Sequence, residues 1–178
     1  ALVGSITPIE PRDTDHVFGF SKGAGGEYIF HQPGFEPSGG TGGKPFFRYF
    51  NSVLRVTVGE HASDRVFVHA GVVGWKGRAI VIPATSFAGK TTLVAELVKR
   101  GAEYYSDEYA VFDKEGMVHS YARDLSVRGI KPGTRFRDVP VEELGGTVGE
   151  DGVPAGLILI TEFKNNARWR PKVLTTGE

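Results

Sequence analysis

Residues Ala84-Thr85-Ser86-Phe87-Ala88-Gly89-Lys90-Thr91, followed by Thr92, have the types and spacing that chemistry requires. Small residues let a backbone curl until several N–H groups point at one anion. A helix beginning at the end of the curl adds its partial positive charge. Lys90 supplies a mobile charge for β- and γ-phosphates, and Thr91 a hydroxyl for Mg²⁺. The stretch fits the phosphate-binding loop pattern, with Ala84 at the position of the first glycine. It predicts binding of a nucleoside triphosphate with magnesium, ATP and Mg²⁺ being the expected pair. Such a loop reads phosphates and not the base, so ATP, GTP and pyrophosphate are equivalent at this level.

Gly39-Gly40-Thr41-Gly42-Gly43-Lys44 looks like a second cradle. Pro45 stands where a hydroxyl is needed and removes a donor N–H. No apolar strand precedes it, so a flexible loop is expected inside a glycine-rich stretch, residues 21–45.

A phosphate loop needs a carboxylate to complete magnesium binding and, in a kinase, to take the acceptor's proton. Asp107 and Glu108 end one predicted strand and Glu162 ends another. Ligands of open α/β sheets gather at the carboxyl ends of strands, so either set qualifies. The residues alone leave that choice open, together with the plain reading of solvated strand-end acids. His69 reads by itself as a strand-end histidine. His16, His31, His61 and His119 show no metal-ligand spacing and read as surface or loop histidines. Trp169 is expected to pack.

These groups must be held by elements. Residues 1–20 suggest one or two weak strands, and Glu27 to His31 a short one. From Pro45 to Val58, the residues Phe47, Tyr49, Val53, Leu54, Val56 and Val58 give partial two-residue alternation and predict a half-buried strand. Arg65 to Val73 predicts another, then a turn at Gly74 to Gly77. Arg78 to Pro83 contains a continuous apolar run, the mark of a buried strand. The loop follows it and opens a helix over Lys90 to Arg100, with Leu93, Val94, Leu97 and Val98 on one face and Glu96–Arg100 paired on the other. Gly101 ends it. Strands are predicted at Ala102 to Asp107, Tyr109 to Phe112, Met117 to Tyr121, Leu125 to Ile130 and, as a buried run, Leu157 to Ile160. Asp113 to Gly116 is a turn, and Val141 to Leu144 one helical turn.

Residues from about Val66 to Asp113 resemble the HPr kinase/phosphorylase catalytic domain and its kinase-like relatives. The resemblance rests on His69, the Gly74-Trp75-Lys76-Gly77 turn, Gly89-Lys90-Thr91, Lys99-Arg100-Gly101 and Asp107-Glu108, with His69 21 residues before Lys90 and Asp107 17 after it. Leu125-Ser126-Val127-Arg128-Gly129-Ile130 is weakly similar to the family's later arginine-glycine signature. The resemblance implies a strand-rich α/β fold with few helices, a mixed sheet of the HPr kinase/phosphoenolpyruvate carboxykinase type. It implies an ATP- and Mg²⁺-dependent kinase passing the γ-phosphoryl group to a serine-type hydroxyl. Asp107 would take the acceptor's proton, or activate phosphate in the phosphorylase direction. Thr91, Asp107 and Glu108 would hold magnesium, His69 would tune the acids, and Arg128 would stabilise phosphoryl charge. The family commonly assembles as hexamers, which implies a homo-oligomer. Its loop is glycine-rich where this chain has Thr85 to Ala88, and Glu108 replaces an aspartate. The chain is closer to the HPr kinase-related proteins, whose acceptors are diverse. A nucleotide-binding regulatory module without catalysis, and a nucleotide hydrolase using Glu162, stay open beside the kinase.

The rest of the composition excludes more than it assigns. The 178 residues suit a single domain, expected to lack its C-terminal continuation because the chain opens on Ala1 and stops at Glu178. Lys plus Arg and Asp plus Glu number 21 each, so no net field draws the chain to nucleic acid or membrane. The absence of cysteine excludes disulfides and thiolate metal sites, and suits a reducing, cytoplasmic setting. No apolar run approaches the roughly 18 residues of a membrane span.

Overall fold

The computed structural model describes residues 18–32, 38–40, 43–85, 88–128, 136–162, 166, 168 and 170–175. The chain divides into two compact units, Ala1–Val66 and Phe67–Glu178.

In the first unit, β1 (Gly19–Lys22), β2 (Tyr28–His31) and β3 (Ser38–Gly40) form an antiparallel sheet in that order. Helix α1 runs Gly43–His61 and corrects the strand expected over Pro45 to Val58. The alternation had been carried by Phe47, Tyr49, Val56 and Val58, and all four are exposed. The buried side is spaced for a helix instead: Phe46 and Thr57 are buried, and Phe50, Val53 and Leu54 half-buried. Burial of that stripe outweighs the strand preference of the β-branched residues. Phe50 meets the rings of Phe18, Phe20 and Phe30, and Phe46 those of Phe20 and Tyr28. Proline is tolerated in a first helical turn, where N–H groups lack intrahelical partners, so Pro45 does not bar the helix. The second glycine-rich cradle is thus no plain loop: Ser38–Gly40 is strand and Gly43 opens the helix, while Thr41 and Gly42 lie outside the described residues.

The second unit is strand-rich α/β with a mixed sheet and, among the described residues, one α-helix. Its elements are β4 (Val66–Trp75), β5 (Arg78–Pro83), α2 (Lys90–Val98), β6 (Glu103–Ser106), β7 (Tyr109–Phe112), β8 (Met117–His119), β9 (Leu125–Arg128), β10 (Phe136–Val139), a 3-10 turn (Val141–Leu144) and β11 (Val153–Ile158). The main sheet runs β5-β11-β8-β7-β4-β6, with a further pairing between β5 and β4. The circuit β5–β11–β8–β7–β4 therefore closes on itself. β11 is parallel to β5, whereas β5 and β6 are both antiparallel to β4.

β4 is buried on both faces. Val73 joins Ile82, Val94, Val98 and Tyr104 beneath α2. Val72 points the other way, with Ala79, Val81, Tyr105, Ala110 and Val118. β5 packs into the same two layers, which is why it reads as a continuous apolar run rather than an alternating one. Each fully buried valine contributes about 1.5–3 kcal/mol, so these two layers are the main source of order around the loop.

β9 and β10 make a separate antiparallel pair. β10 had no counterpart in the sequence reading. The apolar run expected to be buried at Leu157 to Ile160 is not: β11 ends at Ile158, and Leu157, Ile158 and Ile160 are exposed. Among the described residues no helix is long and apolar enough to cross a membrane.

Candidate functional site

β4 runs antiparallel to β5 and β6. Its amino-terminal half therefore lies at the carboxyl ends of both, where the loop leaves β5 and Asp107 follows β6. Topology alone brings His69, Lys90 and Asp107 to one end of the sheet.

Two glycines shape the approach. Gly89 caps α2 with φ 85°, left-handed backbone that glycine adopts without steric cost. It turns the chain so that Lys90 begins the helix pointing inward, and Lys90 is only 7% exposed. Gly71 on β4 lies under the same turn. A Cβ there would stand 2.6 Å from Val94 Cγ2 and 3.0 Å from Lys90 Cγ. The helix can rest on the strand because nothing projects from Gly71.

Lys90 Nζ lies 2.7 Å from His69 Nε2, with the ammonium donating to the ring. Burial chiefly, then the Lys90 charge, holds the His69 pKa below its ordinary value, against the pull of Glu108 and Asp107. Burial also depresses Lys90, and Asp107 then Glu108 oppose it. The His69 shift favours a neutral imidazole that accepts from the lysine.

Asp107 is the hub. Its Oδ2 accepts from Thr91 Oγ1 at 3.2 Å and from the Ser126 N–H at 3.4 Å, and its Oδ1 from the Tyr104 hydroxyl at 3.1 Å. A carboxylate offers about four acceptor positions, so about one stays open. Burial first, then the Asp107 charge, pushes the Tyr104 phenol far up. Tyr104 therefore stays protonated and donates. Glu108 pairs with the Arg123 guanidinium, both side chains being partly buried. The Ser106 hydroxyl accepts from the N–H groups of Glu108 and Tyr109, at 3.0 and 2.9 Å, and fixes the corner that presents both acids.

Of the residues singled out in the sequence, His69, Lys90, Thr91, Asp107 and Glu108 come together. Ala84, Thr85, Ala88 and Gly89 bracket the loop, Thr92 is exposed in the first turn of α2, and Ser86 and Phe87 lie outside the described residues. Arg128 is placed only as the last residue of β9. Glu162 is exposed beyond β11, a strand parallel to β5, so it leaves from the same end of the sheet. His119 pairs with Asp113 at 2.6 Å, His61 Nδ1 meets the Thr57 carbonyl at 2.9 Å, and His31 bonds Ser21 at 2.8 Å. His16 and Trp169 fall outside the described residues.

Sequence reasoning missed Tyr104, Arg123 and Ser126. The polar tips of an otherwise apolar strand were the one available signal for Tyr104. Arg123 comes in on a segment with no pattern of its own, and Ser126 lies in a predicted strand, Leu125 to Ile130, without being marked as a site residue.

Among the described residues no group of three or more His, Cys, Asp or Glu is set to hold a metal. Magnesium would instead draw on a hydroxyl, one or two carboxylates and phosphate oxygens. Thr91 Oγ1 and Asp107 Oδ2 fit that donor set: adjacent octahedral ligands at about 2.0–2.1 Å from Mg²⁺ stand about 2.9 Å apart, close to the 3.2 Å found here. Comparison with protein-family models, with curated proteins and with solved structures gave no match.

Proposed function

We propose that this protein binds ATP with Mg²⁺ at the Ala84–Thr92 segment and transfers the γ-phosphoryl group to a hydroxyl acceptor, in the manner of the HPr kinase-related proteins. The observation that carries the reading is the meeting of Thr91 with Asp107 beside a buried lysine, at the carboxyl ends of β5 and β6. A buried, nearly unsolvated ammonium is costly unless an anion repays it, and a phosphate chain supplies that anion.

The loop amides and the α2 amino terminus hold phosphate oxygens. Lys90 turns from His69 to the β- and γ-phosphates. Thr91, Asp107 and Glu108 would hold magnesium, which would supply charge neutralisation across the phosphates. The open position on Asp107 takes the acceptor's proton while the acceptor oxygen bonds to the γ-phosphorus and the bond to the β–γ bridging oxygen breaks, releasing ADP. His69, once free of Lys90, tunes the acids. Arg128 is the arginine that the family resemblance assigns to phosphoryl charge.

Calorimetry with Mg·ATP tests the binding step: Lys90→Gln should abolish it. Label transfer from γ-labelled ATP into a broad lysate tests the chemistry. Asp107→Asn should stop transfer while ATP still binds, and persisting transfer would remove Asp107 as the base.

A second reading is a nucleotide-binding module without transfer. It is favoured by the engagement of Asp107 with three donors and of Glu108 with Arg123. ATP binding with no label transferred and no ADP formed would select it.

A further inference from the structure

The geometry points to Arg123 as a phosphate-binding residue, held by Glu108 at the acidic end of the site and directed at the terminal phosphate of the nucleotide. This rests on the nucleotide reading above and adds a residue to it.

Three observations support it. First, Asp107 and Glu108 both act on Lys90 through their charge, and Glu108 pairs with Arg123, so two acids and two cations share this end of the site. Without Arg123 the two acids would outweigh Lys90, and an incoming polyphosphate would meet net negative charge. Second, Arg123 is anchored. Its guanidinium meets Glu108, both side chains being partly buried, and its main chain lies close enough to the Tyr104 hydroxyl to affect that phenol. Third, its chemistry suits the task. A guanidinium carries five donors, and a carboxylate engages at most two side by side, so donors remain for another oxyanion. Its side chain is 29% exposed, enough for a ligand to reach it from solvent. Arginine's planar fork also matches phosphate better than a lysine's point charge. Arg123 stands on the side of the acids, which is the acceptor end. Its contact is therefore with the γ-phosphate, whereas Lys90 serves both β and γ.

The test compares Mg·ATP with Mg·ADP by isothermal calorimetry at fixed ionic strength, on the full chain. Arg123→Gln should weaken ATP about tenfold and ADP less than about twofold, the loss of one charge-assisted hydrogen bond. Arg123→Lys keeps the charge without the fork and should fall between. It reads the proposal if the Gln variant does not fold, which circular dichroism would show. Lys90→Gln should lose both nucleotides. A folded Arg123 variant that binds ATP and ADP as the wild type does overturns the proposal and leaves the nucleotide reading standing. A wild type that binds neither nucleotide overturns both.

Discussion

Tyr104 is 1% exposed and its hydroxyl donates to Asp107. Tyr104→Phe removes that hydroxyl and leaves the buried Asp107 carboxylate one donor short. The expected cost is about 1–3 kcal/mol, measured by urea denaturation, with little change of volume to confuse it. His69 gives a second prediction at this scale. Its pKa is below the ordinary 6.5 in the folded chain, so the unfolded chain takes the proton first as pH falls. Neither state is protonated well above 6.5, and stability should decline as pH drops through about 6.5 until the lower folded value is passed. Thermal melts across that range should show the slope, and His69→Gln should flatten it. Asp113 acts later. The bond from His119 is the first cause holding its carboxyl below the ordinary 3.8. Its contribution is present above that value and lost only as pH falls through the lower folded one. The two titrations are thus separable.

At the scale of elements, α2 is placed by what β4 lacks. Gly71→Ala would set a Cβ 2.6 Å from Val94 Cγ2 and 3.0 Å from Lys90 Cγ. The helix must shift, at a cost of about 1–3 kcal/mol, and Lys90 moves with it. A chemical denaturation curve should report the loss, and adding Val94→Ala should recover part of it by clearing the nearer clash. The same scale shows what was legible in the sequence. β5, the loop, α2 and the Asp107–Glu108 corner follow one another along the chain, so apolar runs and turn residues marked them directly. α1 was misread because Phe47, Tyr49, Val56 and Val58 mimic a two-residue period while the buried stripe through Phe46 and Thr57 is what folding selects. β10 escaped notice because its apolar residues at the ends, Phe136 and Val139, carry no period. Tyr104, Arg123 and Ser126 join the site only through contacts across the fold, and spacing along the chain does not encode those.

At the scale of the whole molecule the second unit carries every residue assigned to chemistry here, and its strands β5, β11, β8, β7 and β4 pair in a circle. A circle cut once is still a connected chain. The join of β8 to β11 has only the Val153–Val118 and Pro154–Met117 pairs, and its opening would leave β4, β5 and β7 attached to one another. Fraying from an end therefore does not reach the strands that carry His69 and the loop. Native-state hydrogen exchange should find the amides of β4, β5 and β7 released together at one high free energy, with those of β1 and β2 following a value of their own. Separate release of β4 and β7 would mean the circle does not act as a unit. If it does, His69 and the strand that launches the loop cannot be lost one at a time: they stay together until the circle opens.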